Sequence, residues 1–299
     1  MFPRALSITP SRDRVAATPE LTTRRCVLAA GYEMPVIGLG VFENDDCVPA
    51  CLAALQCGYR HIDSARYYQN EDKVGQAIRE SGIPREQIFV TSKIYDPDHG
   101  YETTLRAVQD SLNKLGYDYW DLYLIHSPLS GKERRLETWR ALIELRNQGK
   151  IKSIGVSNYS GKHIDEIKEA GYELPAVNQI EVSIVRFPTP PYLSWRPIVE
   201  YCKANGIVVQ AYSPLVRGKL DHPVLTEVAK KYNKDAGQIA IRWSLQHGIV
   251  PLPKSARPER VGSNANVFDF QIGTEDMQKL DALDQGGEGA VTWNPVDAP

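Results

Sequence analysis

Short apolar runs rich in β-branched residues alternate along the chain with longer segments of helical spacing. The runs lie at residues 36–42, 59–63, 89–94, 122–126, 154–158, 176–181, 207–213 and 249–254. Their length predicts buried strands, and the segments between them predict crossover helices, because a parallel strand cannot be reached through a tight turn. The alternation therefore indicates an α/β fold built around a parallel sheet.

The clearest helical patterns lie between these runs, at residues 72–81, 101–115, 133–148, 196–204 and 238–246. In the segment 133–148 the apolar residues stack on one face, as the outer helix of a barrel requires. The chain has 299 residues without a Pro-, Ser- or Gly-rich linker, and a single α/β barrel takes roughly 250 residues. We therefore predict a single (β/α)8 TIM barrel.

The chain ahead of the first barrel strand divides into two parts. Residues 25–28 and 32–34 flank Ala30-Gly31, which predicts a β-hairpin that closes the barrel floor. Residues 1–24 are rich in Arg, Ser and Thr and predict a flexible N-terminal extension. The barrel domain is accordingly predicted over residues 25–299.

Composition excludes several classes of protein. The formal net charge is −2 with Lys and Arg scattered, so no electrostatic footprint for nucleic acid or anionic membrane is present. The five cysteines lack CxxC spacing and accompanying histidines, which predicts neither disulfides nor a metal site. No apolar stretch approaches the roughly 20 residues that cross a bilayer. We expect a cytoplasmic monomer that acts on small molecules, with mitochondrial targeting through the N-terminal extension as the alternative.

Four polar side chains lie at or just after predicted strand ends, where a barrel of this kind builds its active site. They are Asp63, Tyr68, Lys93 and His126. Each alone has an ordinary explanation, such as a helix cap, a surface lysine, a bonded core histidine or simple packing. Together they would converge on one barrel mouth, where burying them unpaired costs several kcal/mol. This convergence favours a catalytic site.

The motifs around these residues resemble the aldo-keto reductase family. The matching stretches are GYRHIDSARYYQNE at 58–71, TSK at 91–93, LYLIH at 122–126, GVSN at 155–158, VNQIE at 177–181 and PLPKS at 251–255. They follow one another in the order of the family, from about Cys26 to the end of the chain. The resemblance implies a barrel enzyme that passes hydride between a nicotinamide dinucleotide and a carbonyl or alcohol.

The resemblance implies that Asp63, Tyr68, Lys93 and His126 form the catalytic tetrad. Tyr68 would be the general acid, and the Lys93 ammonium would lower its pKa from the ordinary value of about 10. Asp63 would pair with Lys93, while His126 would orient and polarise the carbonyl oxygen. Tyr67 competes for the acid role, but the family spacing from Asp63 selects Tyr68.

The cofactor site is expected at the last strands rather than at Gly38-Leu39-Gly40. That stretch begins like a dinucleotide fingerprint, but Glu43 occupies the place of the third glycine. The resemblance implies that Lys254, Ser255 and Arg260 contact an adenosine 2′-phosphate, which favours NADPH and leaves NADH as a possible alternative. Its remaining cofactor contacts would be Ser157, Asn158 and Gln179 on the carboxamide, Tyr212 stacked on the nicotinamide, and Ser213, Leu215 and Asn264 along the rest.

Departures from the family concern the substrate pocket and the adenine. Ser127 replaces a tryptophan that many members carry, and Phe42 replaces another. We expect a wider, less aromatic pocket, with Tyr95 and Trp293 as further candidate walls. Ser263 takes the place of a carboxylate that the family commonly has near the adenine.

The leading hypothesis is an NADPH-dependent reductase of an aldehyde, ketone or sugar. The alternative is a cofactor-binding regulatory or structural subunit on the same barrel, since a fold does not fix its function. A metal-dependent barrel hydrolase would need clustered ligands, whereas the six histidines are dispersed without a His-x-His pair.

Overall fold

An eight-stranded parallel sheet runs through the part of the chain that the computed structural model describes, which is residues 19–29, 31–184, 195–283, 295–296 and 298–299. An antiparallel hairpin of β1 (Arg25–Val27) and β2 (Glu33–Pro35) precedes it. The parallel strands are β3 (Leu39–Gly40), β4 (His61–Asp63), β5 (Phe89–Ile94), β6 (Trp120–Ile125), β7 (Ile151–Ser157), β8 (Val177–Glu181), β9 (Val208–Tyr212) and β10 (Val250–Pro251). They are hydrogen-bonded in chain order.

The first and last strands meet and close the sheet into a barrel. Gly40 forms a parallel bridge with Lys254, and the amides of Gly38 and Gly40 donate to the carbonyls of Pro251 and Pro253 at 3.1 Å each. A Cβ at Gly38 would lie 2.7 Å from the His61 ring. The glycine pair therefore serves close packing at the barrel seam, and the predicted (β/α)8 barrel is confirmed.

Helices follow the strands around the outside of the barrel. They are α1 (Pro19–Thr23), α2 (Val48–Cys57), α3 (Glu71–Ser81), α4 (Tyr101–Leu115), α5 (Lys132–Asn147), α6 (Gly161–Glu169), α7 (Trp195–Ala204), α8 (Pro223–Tyr232), α9 (Ala236–Gln246), α10 (Pro258–Ala265) and α11 (Thr274–Asp281). None of these helices, within the described ranges, combines the length and the apolar character needed to cross a membrane.

The strands on either side of the seam are shorter than predicted. The run 36–42 contributes only Leu39–Gly40, and the run 249–254 contributes only Val250–Pro251. Proline has no amide hydrogen, so Pro251 and Pro253 cannot donate backbone hydrogen bonds to a neighbouring strand. Apolar character alone does not reveal this interruption, which is why the pattern overestimates both strands.

The core has two layers, one outside the sheet against the helices and one inside the barrel. Leu28 and Met34, which belong to the hairpin and its turn, pack in the inner layer and are 1% and 0% exposed. The hairpin therefore closes the barrel floor as predicted. The other buried members of the inner layer are Phe89, Leu122, Leu124, Ala176, Val177 and Val250.

The N-terminal segment joins the barrel earlier than residue 25. Residues 19–23 form α1, and Leu21 in this helix is buried in the outer core. Residues 1–18 lie outside the described part of the chain. The flexible extension therefore stays a prediction for those residues, whereas α1 packs on the domain.

Gly155 provides a test of how tightly the inner layer is packed. A Cβ at this position would lie 2.6 Å from the Val177 carbonyl oxygen and 2.8 Å from Leu124 Cδ2. We expect Gly155→Ala to lower the free energy of unfolding by about 1–3 kcal/mol through overpacking, measured by urea denaturation. In the control Gly262→Ala, the added Cβ meets no atom within 4 Å, so stability should stay within about 0.5 kcal/mol or rise slightly. Equal stability of both variants would contradict this view of the packing.

Candidate active site

A polar layer lies above the apolar inner core, at the carboxyl ends of the strands. Side chains alternate along a strand, so the inward position of Phe89 places Lys93 inward as well, four residues later. The same alternation applies to Leu122 and Leu124, which point inward, so His126, two residues later, points inward as well. The apolar pattern of each strand thus aims the polar residue at its end into the barrel mouth.

Lys93 is the centre of this layer. Its Nζ donates to Asp63 Oδ1 at 2.6 Å, to the Ser64 carbonyl at 2.8 Å and to the Tyr68 hydroxyl at 3.3 Å. The lysine is 0% exposed and Asp63 is 3% exposed. Three acceptors match the three hydrogens of an ammonium group, so the buried charge is fully satisfied.

The electrostatics of Tyr68 differ from the expectation. Burial raises the pKa of Tyr68 well above its usual value, and the negative charge of Asp63 raises it further. Burial also lowers the pKa of Lys93, which Asp63 partly offsets. The Asp63 carboxylate, 2.6 Å from Lys93 Nζ, largely neutralises the positive charge of the lysine. The predicted lowering of the Tyr68 pKa is therefore not found in the structure. The phenol is held in its protonated form.

His126 is neutral at physiological pH. Burial lowers its pKa well below 6.5, and the charges of Lys93 and His99 act in the same direction. Its ring centroid lies 5.7 Å from that of Tyr68. Its Nδ1 is buried without a hydrogen-bond partner in the structure, so Nε2 is the ring nitrogen able to meet a ligand.

Aromatic side chains surround the mouth next to the tetrad. The Phe42 and Tyr68 rings are 4.9 Å apart, and so are the Tyr67 and Tyr95 rings. Tyr67 is 50% exposed, and it is Tyr68 whose hydroxyl receives the hydrogen bond from Lys93. The contact with Lys93 favours Tyr68 over Tyr67, as does the family spacing from Asp63.

The other two candidate pocket residues are placed differently. Ser127 is fully buried, and its hydroxyl donates to Asp96 Oδ1 at 2.5 Å. The hydroxyl is therefore occupied, and a role for Ser127 as a pocket wall stays a prediction. Trp293 lies outside the described residues. Asp96, which the sequence reasoning missed, carries no motif that would have identified it.

A second set of polar residues lies beside the tetrad at the ends of β7 and β9. Tyr212 donates its hydroxyl to Asn158 Oδ1 at 2.8 Å, and the Asn158 amide donates to the His126 carbonyl at 3.1 Å. Ser157 donates to the Gln179 carbonyl at 2.9 Å. Asn158 and Ser213 have φ values of 62° and 50°. Such left-handed backbone in residues other than glycine is characteristic of functional sites.

Cations gather where α10 begins. Lys254, Arg257 and Arg260 are exposed, and the structure shows no ion pair between them and a described carboxylate. Ser255 accepts from the Arg257 amide at 3.0 Å. Arginine and lysine at a helix N-terminus suit a phosphate. Arg257 was missed, although its position between Lys254 and Arg260 was a usable signal.

Two further predicted cofactor residues, Leu215 and Asn264, lie beside the start of α9. A Cβ at Gly237 would lie 3.7 Å from Leu215 Cδ2 and 3.8 Å from Asn264 Oδ1, so both side chains lie next to Gly237. Ser263 donates to Asp235 Oδ2 at 2.9 Å. Asp235, a residue distant in sequence, thus places a carboxylate next to the position where this chain has serine and the family commonly has a carboxylate.

The opposite end of the barrel has a cavity of about 360 Å³. Its lining includes Arg25, Glu33, Arg60, Asp121 and Lys152, against the hairpin. The tetrad residues are not among the lining residues. Among the described residues, no three His, Cys, Asp or Glu side chains are placed to hold a metal ion. The geometry suited to chemistry is therefore that of the mouth.

Comparison with known proteins agrees with this geometry. The model of the Aldo/keto reductase family matches residues 36–285. Glyoxal reductase of Bacillus subtilis is 46% identical, over 85% of this chain and 91% of its own length. The crystal structure of an aldo-keto reductase from a Medee basin deep-sea metagenome library is 44% identical with a TM-score of 0.83, covering 88% of this chain and 96% of that one. A Bombyx mori aldo-keto reductase in complex with NADP is 35% identical with a TM-score of 0.82, covering 94% and 96%. The chain belongs to the aldo/keto reductase family of oxidoreductases.

Proposed function

We propose that the protein is an NADPH-dependent reductase of aldehyde, ketone or sugar carbonyls, with Tyr68 as the general acid. The observation that carries the proposal is the contact of Lys93 Nζ with both Asp63 and Tyr68, beside a neutral His126. The similarity to glyoxal reductase supports a small carbonyl compound as substrate. A regulatory or structural subunit would gain nothing from a buried ammonium, whose desolvation is costly.

The chemistry follows from what each side chain can do. Bound nicotinamide supplies the hydride. His126 Nε2 and the Tyr68 hydroxyl both donate to the carbonyl oxygen, which orients it and stabilises the negative charge that develops there. Tyr68 then transfers its proton to that oxygen. Lys93 stays protonated and bonded to Asp63, so its charge favours the resulting phenolate.

The residues around the last strands fit NADPH. Lys254, Arg257 and Arg260 offer positive charge beside the α10 N-terminus, where a 2′-phosphate would find charge-assisted donors. NADH lacks that phosphate and would leave these cations without a ligand. The amide and hydroxyl groups of Ser157, Asn158 and Gln179 suit a carboxamide, and Tyr212 offers a ring for stacking. Ser213, Leu215 and Asn264 would contact the rest of the cofactor.

The proposal extends to the setting in which the enzyme acts. All five cysteines carry free thiols, which suits a reducing compartment. We therefore propose a cytoplasmic enzyme. A monomer is part of the same proposal, and size-exclusion chromatography with light scattering measures it directly.

Tyr68→Phe tests the general acid. The change removes the proton donor but keeps the ring, so carbonyl reduction followed by NADPH absorbance should fall at least about 100-fold. NADPH binding, measured by fluorescence titration, should be little changed. Tyr67→Phe is the matched control and should keep most activity, since Lys93 bonds Tyr68. A Tyr68→Phe variant that turns over normally would refute the assignment, and wild type that binds NADPH without reducing any carbonyl would favour the subunit alternative.

Arg260→Ala tests the cofactor preference. Loss of a charge-assisted bond to the 2′-phosphate should weaken NADPH binding about tenfold and leave NADH binding nearly unchanged. Arg106, which is exposed on α4, provides the control Arg106→Ala, for which neither Kd should change. Equal weakening of both cofactors would argue against a 2′-phosphate contact at Arg260.

The pH profile of kcat/KM tests the protonation states. The lowered pKa of His126 keeps the imidazole neutral, so no inflection should occur near its ordinary value of 6.5. The raised pKa of Tyr68 keeps the acid protonated through neutral pH, so reduction should decline only on the alkaline side. The apparent pKa of this alkaline decline describes Lys93 and Tyr68 together, because the two groups interact. Loss of activity between about pH 7 and 6 would show that His126 titrates.

A further inference from the structure

A row of buried polar side chains continues from the tetrad down the barrel axis. Gln179 Nε2 donates to Asp63 Oδ2 at 2.8 Å and to Gln210 Oε1 at 2.9 Å. Gln210 Nε2 points to Met34 Sδ at 3.1 Å. Gln179 is 1% exposed, and Gln210 and Met34 are 0% exposed. The row connects the hairpin at the floor with the carboxylate that holds Lys93.

The direction of each hydrogen bond in the row follows from Asp63. An ionised carboxylate can only accept, so Gln179 must turn its amide nitrogen towards it. The second hydrogen on that nitrogen needs another acceptor, and Gln210 Oε1 provides one. Gln210 then has its own amide nitrogen left, which meets the thioether of Met34, a weak acceptor. One negative charge thus sets the orientation of two buried amides.

The position of Gln210 makes this arrangement rigid. Gln179 and Gln210 are register partners on β8 and β9, so their backbones are fixed relative to one another. No hydrogen bond between described residues uses Gln179 Oε1, and this oxygen is free to accept from a bound ligand. Without Gln210 as acceptor, the Gln179 amide could rotate away from Asp63.

We propose that Gln210 is a positioning residue for carbonyl reduction. It holds the Gln179 amide so that Nε2 bonds Asp63 and Oε1 is available to the cofactor carboxamide. This inference rests on the proposed function, because it concerns the same site. Among the described residues, the Gln210 side chain hydrogen-bonds Gln179 and Met34 and no member of the tetrad, so it acts through Gln179.

A purely structural role would have different consequences. A buried amide that merely satisfies its neighbours would affect stability and leave kinetics unchanged. A positioning role changes the charge environment of the tetrad. When the Gln179 bond is lost, the Asp63 carboxylate retains more negative charge towards Lys93 and Tyr68. The pKa values of both groups then rise, and the alkaline limb of the pH profile moves upward.

The decisive experiment compares Gln210→Leu with Asn178→Leu. Asn178 is an equally buried amide on β8, but it faces outward and donates to the Tyr159 carbonyl and Cys202. Both variants should lose stability in urea. Only Gln210→Leu should lower kcat about tenfold, weaken NADPH binding severalfold by fluorescence titration and move the alkaline limb upward.

Gln210→Glu provides the conservative variant. Buried near Asp63, the new carboxyl is held neutral, so its carbonyl oxygen still accepts from Gln179. We expect kcat and NADPH affinity close to wild type. Gln210→Met serves the same purpose as the leucine variant if the latter does not fold, because it fills a similar volume and replaces the amide oxygen with a thioether, which is only a weak acceptor.

The outcomes separate the two levels of inference. If wild type reduces carbonyls and Gln210→Leu or Gln210→Met keeps the wild-type kcat, NADPH affinity and pH profile, the positioning role is wrong and Gln210 is structural. If Gln210→Glu is as impaired as the leucine variant, acceptance of the Gln179 bond is not what matters, and the inference also fails. Wild type that neither binds NADPH nor reduces any carbonyl would overturn the proposed function itself.

Discussion

The buried ion pair between Lys93 and Asp63 is the interaction on which the site depends. A lysine ammonium in a barrel interior is stable only if every hydrogen meets an acceptor, and the carboxylate of Asp63 is the acceptor that neutralises it. The need for hydrogen-bond partners applies to Asp63 as well, because a buried carboxylate needs donors for both of its oxygens. The ion pair therefore dictates the side chains around it: the Tyr68 phenol accepts from Lys93, and the Gln179 amide donates to Asp63.

The periodicity of apolar residues, in helices as well as in strands, predicted much of the fold and of this site. Helix α4 (Tyr101–Leu115) has the bounds that its apolar spacing indicated, and the inward alternation on β5 and β6 accounts for the convergence of Lys93 and His126. Family motifs then selected Tyr68 over its neighbour. These features are local in sequence, because each depends on the spacing of residues within one strand or one loop.

Other features depend on residues distant in sequence and were not predictable in this way. The strands at the seam are short where the carbonyls of Pro251 and Pro253 accept from glycine amides. One such pair is Gly38 and Pro251, which are 213 positions apart in the sequence. The raised pKa of Tyr68 reflects its burial first and the nearby charge of Asp63 second, and no motif states either. Gln210 gave no signal, because a glutamine within an apolar run is understood only when its partners on β8 and β2 are known.

The seam between β3 and β10 has a consequence for how ligand and scaffold are coupled. Few backbone bonds join these strands, and one of the residues that bridge them is Lys254, whose exposed side chain we propose as a contact of the cofactor phosphate. A ligand bound to the Lys254 side chain would restrain one of the residues that hold the seam closed. Ligand bound at Lys254 would stabilise the closed seam by mass action, and the expected signature is slower hydrogen exchange of the Gly38 and Gly40 amides when ligand is present.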